Sequence, residues 1–430
     1  MDALVVIGTL LAAVALGVPI AYALGLSAIA AACWVDIPLE AVMLQVSSGV
    51  SKFAMLTIPF FVLAGAIMAE GGMAGRLVAL ANVLVGVTRL RGGLSLVNIV
   101  ATTFLSGISG SAVADTSAIG SVMIPQMEAS GYPRVFATNL TITASVQALL
   151  IPPSHNAVIY SLATGGTISV LSLFMAGIMP GLLLGLSLVM LCVFLAYRND
   201  HPRGDVVPLR QAGRIVFDAF WGLVTLVIIL GGILGGVFTA VEAGAVATVW
   251  AFFVTMFVYR DYRWRDLPVL VHRTLRTVAM VMTLIAFASA VGYMMALMQV
   301  PSKITAFFLT ISHNKYVILM MINVLLLLVI GCLVDMAPSI LITTPILLPV
   351  MLNFGVDPVH FGMIMLLNLG IGLCHPPVGS ILFVGCAVGR ITLEQAMRQI
   401  WPLYLVMFGV LMLVTYIPVI SLWLPRMLGL

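Results

Sequence analysis

A polar, glycine-rich run from Ser106 to Ser121, SGISGSAVADTSAIGS, interrupts a chain that is otherwise almost continuously apolar. Hydrocarbon offers no water to backbone N–H and C=O groups, so broken helix at membrane depth persists only where protein or an aqueous cavity satisfies those groups. A second break follows at 151–154, IPPS, where two consecutive prolines remove two backbone donors. Together the two breaks predict a binding site of the kind that carries a solute or an ion across a membrane.

Composition restricts the class of protein. Of the 430 residues, 62% are hydrophobic and 8% are charged, and the mean hydropathy is +1.20, which predicts a membrane protein with many spans in a lipid bilayer. The net charge of +4 comes mainly from arginines near the ends of apolar segments. That distribution is typical of membrane topology, so no nucleic-acid partner is expected. The five cysteines lack CxxC spacing, which indicates neither a disulfide nor a zinc site.

Apolar segments of sufficient length predict the membrane crossings. In the first half we expect a re-entrant helical hairpin at Leu94–Met127 and crossings at Ala3–Ala32, Phe53–Ala69, Leu77–Thr88, Ala137–Tyr160 and Ile168–Tyr197. In the second half we expect a hairpin at Ile318–Leu352 and crossings at Phe220–Phe238, Ala240–Tyr259, Val278–Val300, Val359–Val388 and Leu403–Leu424. Counting crossings places the N-terminus outside, the basic ends at Arg198, Arg260 and Arg390 in the cytoplasm, and the two halves in inverted orientation.

The chain contains an internal repeat. A constant offset of 224 residues aligns Gly107 with Gly331 and Pro125 with Pro349, and the same offset places the first double proline on Pro376-Pro377. Inverted repeats with discontinuous helices in corresponding positions are typical of secondary transporters, whose substrate and ion sites lie where the repeats meet. The predicted fold is therefore an all-α polytopic membrane protein with inverted repeats, each with a re-entrant helical hairpin and a discontinuous helix.

This order of segments predicts four parts. Residues 1–92 form N-terminal scaffold helices, and residues 93–197 form the first transport repeat. Residues 198–315 form central scaffold helices with amphipathic connectors, and residues 316–430 form the second transport repeat with the final helix.

Each hairpin tip and helix break should together bind one sodium ion. Unwound backbone carbonyls and helix C-termini coordinate alkali cations, so the ligands need not be polar side chains. The first predicted set is Gly107, Ala148, Ile151 and Ser154, and the second is Gly331, Gly372, His375 and Val378. The alternative is that these small residues only permit close helix packing.

Polar groups near the two tips are candidate substrate ligands. A carboxylate at membrane depth is costly and usually functional, which draws attention to Asp115 and Asp335. Either acid could instead cap a helix N-terminus. The predicted substrate ligands are Ser109, Ser111, Asp115, Thr116, Asp335, Ser339 and Asn368, although interhelical hydrogen bonding is an alternative role for any single hydroxyl or amide.

One enzymatic alternative starts from the GISG tetrapeptide at 107–110, which has the GxSG form of intramembrane serine proteases, with His155 as a candidate base. Its duplicate at 331–334, GCLV, lacks the serine and yet belongs to the same repeat. The repeat therefore favours a transporter that is not an enzyme.

Four long motifs resemble the large membrane subunit of tripartite ATP-independent periplasmic (TRAP) transporters, across the whole chain. They are SAVADTSAIGSVMIP at 111–125, IPPSHNAVIY at 151–160, MAGIMPG at 175–181 and DPVHFGMIMLLNLGIGLCHPPVGSILFV at 357–384. The resemblance implies an elevator-type, sodium-coupled transporter of the bacterial inner membrane. It also implies two partners, a small four-helix membrane subunit and a periplasmic solute-binding protein that delivers an organic anion such as a C4-dicarboxylate or sialic acid.

Two residues depart from the family pattern, His375 and His155. The first leaves open whether its ring or only its carbonyl faces the second sodium site. The resemblance predicts a sodium-driven organic-acid importer without ATP hydrolysis, since the sequence has no Walker-type loop. The alternative is a dicarboxylate symporter or exchanger that needs no binding protein.

Overall fold

The computed structural model describes residues 2–199, 201, 207–331, 334–376 and 379–430. Within these ranges the chain is helical and has no β-strand, as the all-α prediction requires.

The helices of the first half are short or interrupted except for one. They are α1 Asp2–Ala15, α2 Ile20–Val35, α3 Leu39–Val50, α4 Thr57–Glu70, α5 Met73–Thr88, α6 Gly93–Ser109, α7 Ala112–Ala129, α8 Arg134–Ala144, α9 His155–Ala163 and the long α10 Val170–Arg198. A 3-10 turn, Phe53–Leu56, precedes α4, and another, Ser145–Leu149, extends α8 to the first double proline.

The second half begins with longer helices. They are α11 Leu209–Leu234, α12 Ala240–Phe253, α13 Leu267–Leu297, α14 Val300–Ile311, α15 Lys315–Leu325, α16 Met336–Asn353, α17 Pro358–Gly372, α18 Ser380–Gly389, α19 Leu393–Gln399, α20 Trp401–Tyr416 and α21 Val419–Met427. Helix α12 continues as a π-helix over Val254–Tyr259, and α15 continues as one over Leu326–Ile330.

In the described ranges, six helices are long and apolar enough to cross a membrane, or up to nine if each bent pair counts as one span. The six include the predicted crossings near 53–70, 170–198, 210–234, 240–259 and 267–297. The protein is therefore a polytopic membrane protein.

The prediction of one crossing at Ala3–Ala32 is wrong. Gly17 has a φ of +82° and Pro19 caps the start of α2, so the apolar run divides into two short helices. The hydroxyl of Ser27 donates to the carbonyl of Val6 over 2.7 Å, which places α1 and α2 side by side as a hairpin. The inverted orientation of the two halves stays a prediction, because it was counted with this segment as one crossing.

The internal repeat is confirmed by the bounds of the helices. Helices α7 and α16 each contain 18 residues and start at positions 112 and 336. Helices α8 and α17 start at positions 134 and 358. Both pairs of starts differ by the offset of 224 residues found in the sequence, and glycines with positive φ, Gly131 and Gly355, precede the second pair.

Both predicted hairpins and both broken helices are present. Helix α6 ends at Ser109, and Gly110, with a φ of +60°, turns the chain. The amide of Asn98 donates to the sulfur of Met127 over 3.6 Å between the two arms. In the second repeat, α15 with its π-helix and α16 stand at the positions that the offset of 224 residues assigns to the two arms. The first broken helix consists of α8 and α9, and the second consists of α17 and α18.

The contacts between the two repeats are reciprocal, because they involve equivalent helices of each repeat. Helix α7 of the first repeat packs against α18 of the second, and α16 of the second packs against α9 of the first. A polar contact joins them, because Nε of Arg134 donates to the carbonyl of Gly389 over 2.7 Å. Outside the repeats, α12 packs on α4, and α13 packs on α2 and α3. The assignment of these outer helices to a separate scaffold part stays a prediction.

Replacing Arg134 with alanine should weaken the contact between the repeats. A hydrogen bond from a charged group contributes about 1.5–3 kcal/mol, and the partial exposure of this side chain reduces that to about 1–2 kcal/mol. We expect a measurable fall in the melting temperature of the purified protein in detergent. Arg398→Ala is the control, since its ion pair with Glu394 is 78% and 77% exposed and should change stability by less than about 0.5 kcal/mol. Equal shifts in the two variants would contradict the assignment.

Candidate functional site

The first hairpin tip lies directly against the first helix break. A β-carbon at Gly107 would lie 3.7 Å from the carbonyl oxygen of Pro152, and one at Gly110 would lie 3.5 Å from the backbone nitrogen of His155. The carbonyl of Pro153 leaves no room for a β-carbon at Gly110, so glycine there lets the tip approach the backbone of the break closely, whereas the 3.7 Å at Gly107 is an ordinary van der Waals contact. This is the approach that a shared set of backbone ligands requires.

The other predicted residues of the first sodium set belong to the break itself. Ser154 caps α9, since its hydroxyl accepts from the backbone nitrogen of Ala157 over 3.4 Å and donates to the carbonyl of Leu149 over 2.8 Å. Ala148 is fully buried, and the backbone nitrogen of Ile151 donates to the carbonyl of Gln147 over 2.8 Å. The structure thus brings Gly107, Ala148, Ile151 and Ser154 into one region, and their role as ligands stays a prediction.

The second tip and break are closer still. A β-carbon at Gly372 would lie 2.8 Å from Cα of Gly331. The backbone nitrogen of His375 donates to the carbonyl of Gly372 over 2.9 Å, and the carbonyl of His375 accepts from Gly379 over 3.1 Å. Val378, the fourth predicted residue of this set, lies outside the described residues.

The ring of His375 is turned toward its own chain. Its Nδ1 lies 2.6 Å from the carbonyl oxygen of Pro376, so Nδ1 is the protonated nitrogen, because a carbonyl can only accept. The ring also lies 6.1 Å from the ring of Tyr404, whose hydroxyl donates to the carbonyl of Cys374. In this tautomer Nε2 is the acceptor nitrogen of the ring, and the choice between a ring ligand and a backbone ligand at His375 stays a prediction.

One buried oxygen makes the second region suitable for a cation. The amide nitrogen of Asn368 donates to both oxygens of Asn323, over 3.0 and 2.9 Å, while its own Oδ1 is buried and has no hydrogen-bond partner among the described residues. Asn368 lies one helical turn before Gly372. Unpaired buried oxygens are costly in the absence of a partner, and an oxygen-only set suits a hard cation. The residues present therefore fit sodium.

Asp115 is fully buried at the first tip. Its carboxylate accepts from the hydroxyl of Ser106 over 2.8 Å and from that of Ser109. It does not cap α7, because the N-cap is Ser111, whose hydroxyl accepts from the backbone nitrogen of Ala114 over 3.4 Å. Ser109, the candidate nucleophile of the protease alternative, is thus held by a carboxylate.

A cavity of about 850 Å³ lies between the two repeats and the outer helices. The first turns of four helices line it: α7 at Ser111–Ala114, α9 at His155 and Asn156, α16 at Met336–Pro338, and α18 at Ser380. Each helix N-terminus carries unpaired N–H groups and about half a positive charge. The four N-termini therefore contribute positive potential to the wall formed by the repeats, which also carries the carboxylate of Asp335.

The opposite wall comes from α2, α4 and α13. It carries an ion pair between Arg273 and Glu70, with Nη1 to Oε1 at 2.5 Å. The third charged residue that lines the cavity in the described part of the chain is Asp335, at the start of α16 on the wall formed by the repeats. Its Oδ1 accepts from the hydroxyl of Ser380 over 3.2 Å.

Two of the predicted substrate ligands, Ser111 and Asp335, line this cavity. The other five are not part of its lining, and each makes a hydrogen bond to another group of the repeats; they are Ser109, Asp115, Thr116, Ser339 and Asn368. Asp335 occupies the N-cap position of α16 without a side-chain cap hydrogen bond, and the choice between a capping role and a binding role stays a prediction. The sequence reasoning missed Arg273 and Glu70, for which the only signal was a charge in an apolar surrounding.

The fold and the cavity define a membrane transporter built on two repeats. The profile of the tripartite ATP-independent periplasmic transporter, DctM component, matches residues 7–420, and the chain belongs to this family. It is thus a permease subunit of the bacterial inner membrane and not an enzyme.

Relatives match over nearly the whole chain. The protein YgiK of Salmonella typhimurium, which is uncharacterized, is 41% identical over 99% of this chain and 97% of its own length. The C4-dicarboxylate TRAP transporter large permease protein DctM of Rhodobacter capsulatus is 36% identical over 100% of both chains. Among solved structures, the YdaH transporter of Alcanivorax borkumensis superposes with a TM-score of 0.62, at 15% identity over 91% of this chain and 89% of its own, which shows a shared fold.

Proposed function

We propose that this chain is the large permease subunit of a sodium-driven, three-part transporter that imports an organic acid anion. The observation that carries the proposal is the convergence of four helix N-termini on one cavity, between two places where a hairpin tip touches a helix break. Helix N-termini attract carboxylates, and the tip and break regions supply backbone oxygens for cations.

The names of relatives support an organic acid as the solute. Relatives named for the transport of C4-dicarboxylates, 2,3-diketo-L-gulonate and sialic acid match this chain at 35–36% identity. All three solutes carry a carboxylate, and the cavity volume of about 850 Å³ lies within the range of small-molecule sites.

The position of the two tips supports sodium coupling. A cation held jointly by a tip and a break fixes the start of α7 or α16, which in turn fixes N–H groups that face the anion. Binding of either ion then raises affinity for the other, as linkage requires. The repeats would carry both ions as one body past the outer helices, in an elevator motion along the surface where Gly65 of α4 meets the first tip. There a β-carbon would lie 2.6 Å from the carbonyl oxygen of Ser109, so glycine permits this close contact.

Two partners complete the proposal: a small membrane subunit beside the outer helices and a periplasmic solute-binding protein. The isethionate TRAP transporter permease protein DctMQ of Oleidesulfovibrio alaskensis supports the first, because this chain covers only 64% of its length at 38% identity.

Uptake into proteoliposomes tests the proposal. We expect the chain with its small subunit, its binding protein and an inward sodium gradient to accumulate at least one of succinate, sialic acid and 2,3-diketo-L-gulonate. Removal of sodium or of the binding protein should each lower the initial rate by more than about tenfold, since a coupled system has no other driving force or delivery route. Choline replaces sodium in the control.

Rapid uptake without the binding protein would instead establish the self-sufficient symporter or exchanger. Uptake of none of the three anions would contradict the assignment to organic acids.

A further inference from the structure

Arg273 is the one basic side chain with a permanent charge on the cavity wall within the described ranges. It lies in the second turn of α13, and its side chain is 69% exposed, whereas that of Glu70 is 33% exposed. The pair joins α13 to the C-terminal end of α4, on the wall that faces the four helix N-termini.

The ion pair with Glu70 uses only some of the N–H donors of Arg273. An arginine has five N–H donors in a planar fork that matches a carboxylate, and the contact with Glu70 is made through Nη1. The second oxygen of Glu70 accepts from the hydroxyl of Tyr262 over 3.1 Å, so Glu70 is itself fixed. Glu70 therefore orients the guanidinium, and donors remain for a second carboxylate.

Arg273 is the first of the α13 residues that line the cavity, which extend from Arg273 to Leu284, so it lies at one mouth of the cavity. The 31 residues of α13 extend for about 46 Å, which exceeds the hydrocarbon thickness of about 30 Å. The first turns of α13 follow directly on Arg263 and Arg265, which the excess of positive charge places in the cytoplasm. The bond from Tyr262 to Glu70 ties the cavity wall to that same loop.

We propose that Arg273 forms an anion subsite at the cytoplasmic mouth of the cavity, where it binds a carboxylate of the transported anion in the conformation seen here, and that Glu70 is its positioning residue. This inference rests on the proposed function. The anion meets Arg273 on its way into the cytoplasm, after it has left the helix N-termini or while it still touches them. The affinity for an anion that arrives from the cytoplasm would thus depend on Arg273. An anion delivered by the binding protein would not contact Arg273 when it first binds.

The first test needs no knowledge of the solute. Thr277 lies one turn after Arg273 and also lines the cavity, so a Thr277→Cys variant reports the local potential through its reaction with thiol reagents. The background carries Cys33→Ser, because Cys33 is exposed, and the same chain without Thr277→Cys gives the blank rate. The probes are the anionic ethylsulfonate and the cationic ethyltrimethylammonium methanethiosulfonates.

We expect the ratio of the anionic to the cationic rate to fall about tenfold on Arg273→Gln and to rise on Glu70→Gln. Arg276→Gln is the matched control, because Arg276 is exposed on the same helix and is not part of the cavity wall. Its ratio should change by less than about threefold, since a charge facing solvent is screened. An unchanged ratio in Arg273→Gln would overturn the proposal.

The second test measures affinity from inside. Proteoliposomes of the complete three-part system are preloaded with the unlabelled anion, and the internal concentration that halves initial uptake is determined. That concentration should rise about tenfold or more in Arg273→Gln, rise less in Arg273→Lys, which keeps the charge but not the fork, and stay unchanged in Arg276→Gln. The external KM should not change.

Equal inhibition in wild type and Arg273→Gln would overturn the subsite even if the thiol-reagent ratio changed. A wild-type system that accumulates no organic acid would contradict the proposed function instead, and the thiol-reagent ratio would still decide whether the cavity mouth attracts anions.

Discussion

Gly331→Val should abolish sodium-dependent uptake, with a loss of more than about 100-fold. Gly331 has a helical φ of −66°, so valine is excluded by space and not by backbone conformation. Its β-carbon would lie 3.0 Å from the carbonyl oxygen of Leu326 and 3.2 Å from Cα of Gly372. Both neighbours are backbone atoms that cannot rotate away. The tip must therefore move off the break, and a cation bound by oxygens from both sides loses ligands, because its ligand distances tolerate only about 0.2 Å.

The measurement is initial uptake against sodium concentration, with the amount of inserted protein determined in parallel. Gly409→Val is the matched control, since a β-carbon at Gly409 has no atom within 4 Å, and its uptake should stay within about twofold of wild type. Gly331→Ala should give a smaller loss with a raised half-saturating sodium concentration. Full uptake and an unchanged sodium dependence in Gly331→Val would remove the second tip from the sodium site.

The repeat could be predicted from sequence because glycine and proline act locally. Proline lacks the N–H that a helix interior needs. The consecutive prolines at 152–153 stand between α8 and α9, whereas the single prolines Pro125 and Pro349 lie inside α7 and α16. At Gly17 and Pro19 the same two residue types divide an apolar run that is long enough for a single crossing. A hydropathy average does not register a change in the direction of the chain. Gly17, with a φ of +82°, reverses the chain inside the apolar run.

The cavity was predicted less well than the breaks. Sequence identifies polar residue types near a tip, but it does not tell which way a side chain points. Ser109 and Asp115 bond to each other behind the tip, while Ser111 faces the cavity. Arg273 and Glu70 stand 203 residues apart and have no counterpart in the repeat, so only packing of α4 on α13 brings them together.

The variant Asp115→Asn tests whether this carboxylate serves transport or stabilises the fold. We expect uptake to fall by more than about 30-fold, and the free energy of unfolding to change by less than about 1 kcal/mol. Burial of a carboxylate costs several kcal/mol, and hydrogen bonds to a charged group return about 1.5–3 kcal/mol each. With two hydroxyl donors, Ser106 and Ser109, the two terms nearly cancel. Asparagine keeps the volume and one acceptor oxygen, and a serine hydroxyl can rotate to accept from its amide.

The charge at Asp115 thus contributes little to stability, and a charged side chain at membrane depth that does not stabilise the fold is expected to serve transport. Its neighbours at the tip include Gly107, which touches the first break, so loss of the charge should act on ion or substrate binding there. Uptake and thermal melting are measured on the same preparations, with Glu128→Gln as the control, because Glu128 lies on the same helix in a partly exposed ion pair with Arg134 and should alter both quantities little. If Asp115→Asn instead melts well below wild type and loses uptake only in proportion to the folded protein, the carboxylate is a structural group that orders the tip.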